Sequence, residues 1–100
     1  MKRWLVTRHS GAVQWFALKG YVFDCYVAHL DTVEITSGDT VYGTLPVPLV
    51  ADLCARDIEY WHLCVPIAAD IRGKDLSARE LERLGTTVKR FWCDSRIRKD

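Results

Sequence analysis

Apolar positions along the chain fall into short β-branched or aromatic runs separated by stretches with helical spacing. Trp4-Leu5-Val6-Thr7 is the first such run, and its composition predicts a strand. After a polar loop, Gly11 to Gly20 reads as a helix, with Ser10 as N-cap, Gly20 as the left-handed residue past its end, and Val13, Phe16 and Ala17 on one face. Tyr21 to Ala28, rich in Val, Tyr and Phe, predicts a second strand. Asp31 to Asp39 has too few apolar residues for a core helix and ends in the turn signal Ser37-Gly38-Asp39, so it reads as a connection.

Thr40-Val41-Tyr42-Gly43-Thr44 is a third strand, and Pro46 and Pro48 mark the first turn of a helix running to about Arg56. Ile58 to Val65 is a fourth strand, closed by Pro66. Ser77 and Glu80 form a capping box, so a helix starts there. Two continuations stay open beyond it. Leu81, Leu84, Val88, Phe91 and Trp92 gather on one helical stripe about 100° wide, whereas Gly85-Thr86-Thr87 favours a helix ending at Leu84 and a fifth strand over Val88–Cys93. Two strand–loop–helix–strand passages predict right-handed parallel crossovers: a small three-layer α/β fold with a mainly parallel sheet of four to five strands.

One hundred residues suffice for one domain, which hides roughly two-thirds of its unfolded surface on folding. We assign it to residues 1–93, with 94–100 as a basic tail containing Arg96, Arg98 and Lys99. No uncharged stretch approaches the about 20 apolar residues of a membrane span, and Thr7-Arg8-His9 interrupts the apolar start before a signal-peptide core forms. A cytoplasmic location without membrane partners is expected. Cys25, Cys54, Cys64 and Cys93 show no metal-ligand spacing and read as reduced, buried hydrophobes, so no metal or cofactor is expected.

Net charge is +1, with residues 1–28 and 86–100 basic and 29–85 acidic. Long duplex nucleic acid, which rewards a broad basic stripe, is thus a poor partner, while a small anion in a local basic pocket suits the pattern. In an open parallel sheet, ligands collect where strands end and helices begin. Two loops qualify. Thr7-Arg8-His9-Ser10-Gly11 supplies a guanidinium, an imidazole, two hydroxyls and a glycine; Gly43-Thr44-Leu45-Pro46 adds a hydroxyl and backbone. Competing structural roles are a cap for Ser10 or Thr44 and a surface ion pair for Arg8. His29 stands at a strand end and lines the same rim or is solvated; His62, inside a strand, reads as a structural histidine. Asp39, Asp52, Asp57 and Glu59 read as solvated faces, and Trp4, Trp15, Trp61 and Trp92 as packing.

The strand followed by Arg8-His9 resembles the histidine phosphatases, but the order here is R-H-S-G, the chain is shorter, and no second catalytic-loop histidine is evident. A second resemblance covers almost the whole chain: V-T-R-H-S-G-A at 6–12, H-L-D at 29–31, G-D-T-V-Y-G-T-L-P-V at 38–47 and R-G-K-D-L-S-A-R-E-L at 72–81. It is similar to the Csx-sixteen proteins, a small CRISPR-associated family that accompanies type III systems. The resemblance implies a Rossmann-like, CARF-like fold, a homodimer, and a metal-independent ring nuclease that cleaves cyclic oligoadenylate messengers. On that reading Arg8 and His9 are catalytic, and Thr7, Ser10, Gly11, Thr44, Leu45 and His29 bind the ligand. A cyclic-nucleotide sensor or sponge that does not cut is the alternative of another class.

Overall fold

A computed structural model describes residues 1–30, 34–66 and 75–96. Asp31 of the H-L-D block, residues 72–74 of the fourth block, and Arg98 and Lys99 of the tail lie outside the described residues. The elements run β1 (Arg3–Val6), α1 (Ser10–Leu18), β2 (Cys25–Val27), β3 (Thr40–Gly43), α2 (Val47–Ala55), β4 (Glu59–Cys64), α3 (Ala78–Arg83) and β5 (Thr87–Phe91). They form one five-stranded sheet in the order β2-β1-β3-β4-β5. The first four strands are parallel, and β5 returns antiparallel along β4, with Leu63 opposite Val88.

Side-chain alternation along the strands builds two cores, one on each face. Trp4, Val6, Val41 and Tyr60 point to the face covered by α2, where Val50, Leu53 and Cys54 meet them. Leu5, Tyr42 and Leu63 point the other way, to Ala12, Trp15 and Phe16 of α1 and to Ala78 and Leu81 of α3. The result is a three-layer, Rossmann-like α/β arrangement, as the sequence predicts. Each fully buried large side chain, such as Phe16 or Leu53, contributes roughly 2–3 kcal/mol through removal of apolar surface from water.

The open question after Ser77 resolves to a short helix and a fifth strand. The capping box is present, with Glu80 N–H donating to Ser77 Oγ (3.1 Å) and Ser77 N–H to Glu80 Oε1 (3.0 Å). Gly85 sits at φ 82°, a left-handed conformation that ends the helix, and the helical stripe through Val88 and Phe91 is coincidental. Trp92 is therefore not a packing residue: it is 64% exposed beyond β5.

Three other expectations are corrected. Ser10 is the first residue of α1 and His9 is its N-cap, without a side-chain cap bond. The loop turns earlier because Thr7 Oγ1 accepts the His9 N–H at 3.1 Å. The buried face of α1 is Gly11, Ala12, Trp15 and Phe16, with Ala17 exposed, because the helix packs against both the sheet and α3. Asp39 is buried rather than solvated. It accepts hydrogen bonds from Lys2 N–H (2.9 Å), Trp4 Nε1–H (3.1 Å) and Thr36 N–H (3.2 Å).

Candidate functional site

In the strand order, β2 lies on one side of β1 and β3 on the other, so the chain reverses its direction of winding between β1 and β3. At such a switch point the loops leaving the two strands part and open a crevice at the carboxyl edge of the sheet. A cleft of about 560 Å³ occupies this place. Thr7, Arg8 and His9 line it from the loop after β1, Thr44 from the loop after β3, and His62, Leu63 and Val65 from the end of β4; Ala12, Leu76 and Leu81 form its apolar side.

The packing of α1 against the segment before α3 shapes this cleft. A Cβ placed on Gly11 would stand 1.8 Å from the carbonyl oxygen of Leu76, so only glycine lets the two backbones come this close. That approach brings Asp75, the last residue of the R-G-K-D stretch, to the start of α1. His9 Nδ1 lies 2.6 Å from Asp75 Oδ1. The carboxylate holds the proton on Nδ1 and leaves Nε2 as the nitrogen able to exchange one. Arg8 is exposed, and no carboxylate among the described residues pairs with it. The first turn of α1 has no acidic residue, so its positive end and the Arg8 guanidinium both favour an anion here.

On the β4 side a second histidine is held by a tyrosine. Tyr60 Oη is 2.6 Å from His62 Nδ1, donates to Gly43 O (3.1 Å), and accepts the Leu45 N–H (2.9 Å). Burial pushes the Tyr60 hydroxyl up to about 12, so it keeps its proton. Burial also lowers the His62 pKa below the usual 6.5 and favours the neutral ring at physiological pH.

Of the residues expected to act together, Thr7, Arg8, His9 and Thr44 share the cleft. Ser10 is exposed beside it, and Gly11 is buried with its backbone against Leu76. Leu45 packs on the α2 side with its amide engaged by Tyr60. His29 is exposed just past β2 and is absent from the cleft lining. Two residues to which the sequence assigns no chemistry join the site: Asp75, through its contact with His9, and His62, which lines the cleft. The four cysteines carry no disulfide. Among the described residues no group of three or more His, Cys, Asp or Glu side chains converges as a metal site, and no helix is long and apolar enough to cross a membrane.

Neither the curated proteins nor the solved structures yield a match to this chain. A family model does, over residues 4–94, which takes in all of the described sheet but Arg3, the three described helices and every cleft residue. The chain therefore belongs to the family described as "Putative CRISPR-associated protein (Cas_VVA1548)".

Proposed function

We propose that this CRISPR-associated protein is a ring nuclease that opens cyclic oligoadenylate by attack of a ribose 2′-hydroxyl on the adjacent phosphorus, leaving a 2′,3′-cyclic phosphate and a 5′-hydroxyl. The observation that carries the reading is the meeting, in one cleft, of the Arg8 guanidinium, which no carboxylate among the described residues pairs with, the His9–Asp75 pair, and Thr7 and Thr44. Internal attack needs in-line geometry, stabilisation of charge on the non-bridging oxygens, and a proton for the leaving oxygen. Arg8 suits the second task and His9 the third, with Asp75 fixing the ring. The choice of a cyclic oligoadenylate as substrate rests on the resemblance of the sequence blocks and on membership of a CRISPR-associated family.

A cleft of about 560 Å³ accommodates the reacting linkage and its flanking nucleosides rather than a whole ring. A twofold dimer, which offers a second cleft to a ring of matching symmetry, is part of the proposal. The test is incubation of the purified protein with radiolabelled cyclic tri-, tetra- and hexa-adenylate in EDTA, beside Arg8→Ala and His9→Ala. Linear products ending in 2′,3′-cyclic phosphate are expected, with rates at least about 100-fold lower in either variant. Intact rings with the wild-type protein overturn the nuclease reading; tight binding of those rings would identify a sponge or sensor instead.

A further inference from the structure

We propose that His62 is the general base of this cleft, accepting the 2′-hydroxyl proton at Nε2, and that Tyr60 is the positioning residue that fixes the required tautomer. The inference rests on the ring-nuclease reading above and deepens it.

Hydrogen counting carries the tautomer. Tyr60 has one hydroxyl hydrogen and three polar neighbours: the Gly43 carbonyl at 3.1 Å, the Leu45 N–H at 2.9 Å and His62 Nδ1 at 2.6 Å. Leu45 brings its own hydrogen. If Tyr60 donates to Gly43, the 2.6 Å contact is closed by a hydrogen on His62 Nδ1, and every group is satisfied. If Tyr60 donates to His62 instead, two oxygens face each other at 3.1 Å with no hydrogen between them. The first arrangement leaves the lone pair of a neutral His62 on Nε2. The ring is further held edge-on to Phe91, with centroids 5.8 Å apart.

Among the described residues, no carboxylate is in the groups around His62 that would keep a second proton on the ring. Tyr60 and Cys64 flank it on β4, Lys89 stands opposite on β5, Gly43 opposite on β3, and Arg8 and His9 line the cleft across β3. The lowered pKa of the half-buried ring agrees with this setting. The two histidines thus differ in environment: His9 is tied to Asp75, and His62 to a tyrosine that stays neutral.

In the step itself, His62 Nε2 takes the 2′-hydroxyl proton while the 2′-oxygen forms its bond to phosphorus. The P–O5′ bond breaks with its electron pair on O5′, and His9, entering as imidazolium, gives its Nε2 proton to O5′. No water and no redox partner enter. His62 leaves charged and His9 neutral, and proton exchange with solvent restores both.

Two measurements decide it. Long-range ¹H–¹⁵N spectra of histidine-labelled protein at pH 7.5, assigned with His62→Asn, read the tautomer without any substrate. The Nδ1–H form is expected, and the Nε2–H form would overturn the proposal. Single-turnover cleavage of the preferred ring is then followed against pH. The asparagine amide retains a partner for Tyr60 but has no base, so His62→Asn should bind the ring with wild-type affinity, cleave at least about 100-fold more slowly, and lose the limb that rises with pH. Tyr60→Phe should lower the rate about 10-fold at unchanged affinity and displace that limb. Cleavage by His62→Asn within threefold of wild type, with the limb intact, removes His62 from the reaction and leaves the ring-nuclease reading standing. Failure of the wild-type protein to cut any ring overturns both.

Discussion

His9 and Asp75, 66 positions apart in the chain, meet at 2.6 Å because α1 and the segment before α3 pack backbone to backbone at Gly11. Both side chains are more than half exposed, so the contact contributes little to folding, on the order of 0–1 kcal/mol. Its consequence lies in the orientation of the imidazole. Asp75→Ala should leave thermal unfolding within about 0.5 kcal/mol of wild type and lower ring cleavage by about 10- to 100-fold. Equal losses of stability and activity would show that the pair is structural.

Gly11 makes the same relationship testable from the backbone. Gly11→Ala places a methyl 1.8 Å from Leu76 O and 2.9 Å from Leu76 C, and a backbone contact has no rotamer with which to escape. The two segments must separate, at a cost of about 3 kcal/mol. Urea unfolding should register that loss, and cleavage should fall even where the variant is fully folded, because His9 moves away from Asp75. A variant as stable as wild type would contradict the close approach.

Much of this architecture was legible because local chemistry and tertiary structure agree. Trp4-Leu5-Val6, Val41-Tyr42 and the Ser77/Glu80 box each declare their element without outside help. That Thr7, Arg8, His9 and Thr44 line one cleft is legible for the same reason: a strand-to-helix loop is local, and parallel strands put all such loops on one edge. Asp75 was hidden because nothing in its charged neighbourhood refers to His9; only the approach at Gly11 joins them. The structural reading of His62 agrees with its bond to Tyr60, but its spacing along the strand does not show that β4 ends at the crevice, where His62 lines the cleft. Asp39 follows a Ser-Gly turn, which ordinarily signals solvent, but here the turn folds beneath Lys2 and Trp4. The Leu81-to-Trp92 stripe misled because period alone does not register the left-handed break at Gly85.

Thr86, between α3 and β5, is buried, and its N–H donates to Leu81 O at 3.2 Å. Its hydroxyl has no partner among the described residues. A buried hydroxyl without a hydrogen bond costs about 1–3 kcal/mol. Valine has the same shape without that group, and its β-branch suits the entry to a strand. Thr86→Val should therefore raise stability by about 1 kcal/mol in chemical denaturation, with cleavage unchanged. A loss of that size would mean that an ordered water satisfies the hydroxyl.

Asp39 connects stability to pH. Burial alone would push its carboxyl up, but hydrogen bonds from the Lys2 and Thr36 amides and the Trp4 indole outweigh that effect and hold it below the ordinary 3.8. A carboxyl with a folded-state pKa below its unfolded one stabilises the fold fully above the unfolded value. That contribution is lost as pH falls through the folded value. The wild-type protein should thus lose stability below about pH 4, with part of the slope belonging to Asp39. Asp39→Asn replaces one acceptor oxygen with a donor facing N–H groups, and at pH 7 should cost about 2–4 kcal/mol. Unfolding free energies measured from pH 7 to 2.5 should show the two curves converging in acid, since the protonated aspartate can no longer accept all of these bonds. Parallel curves would mean that the carboxylate charge does not contribute to holding the turn against Lys2 and Trp4.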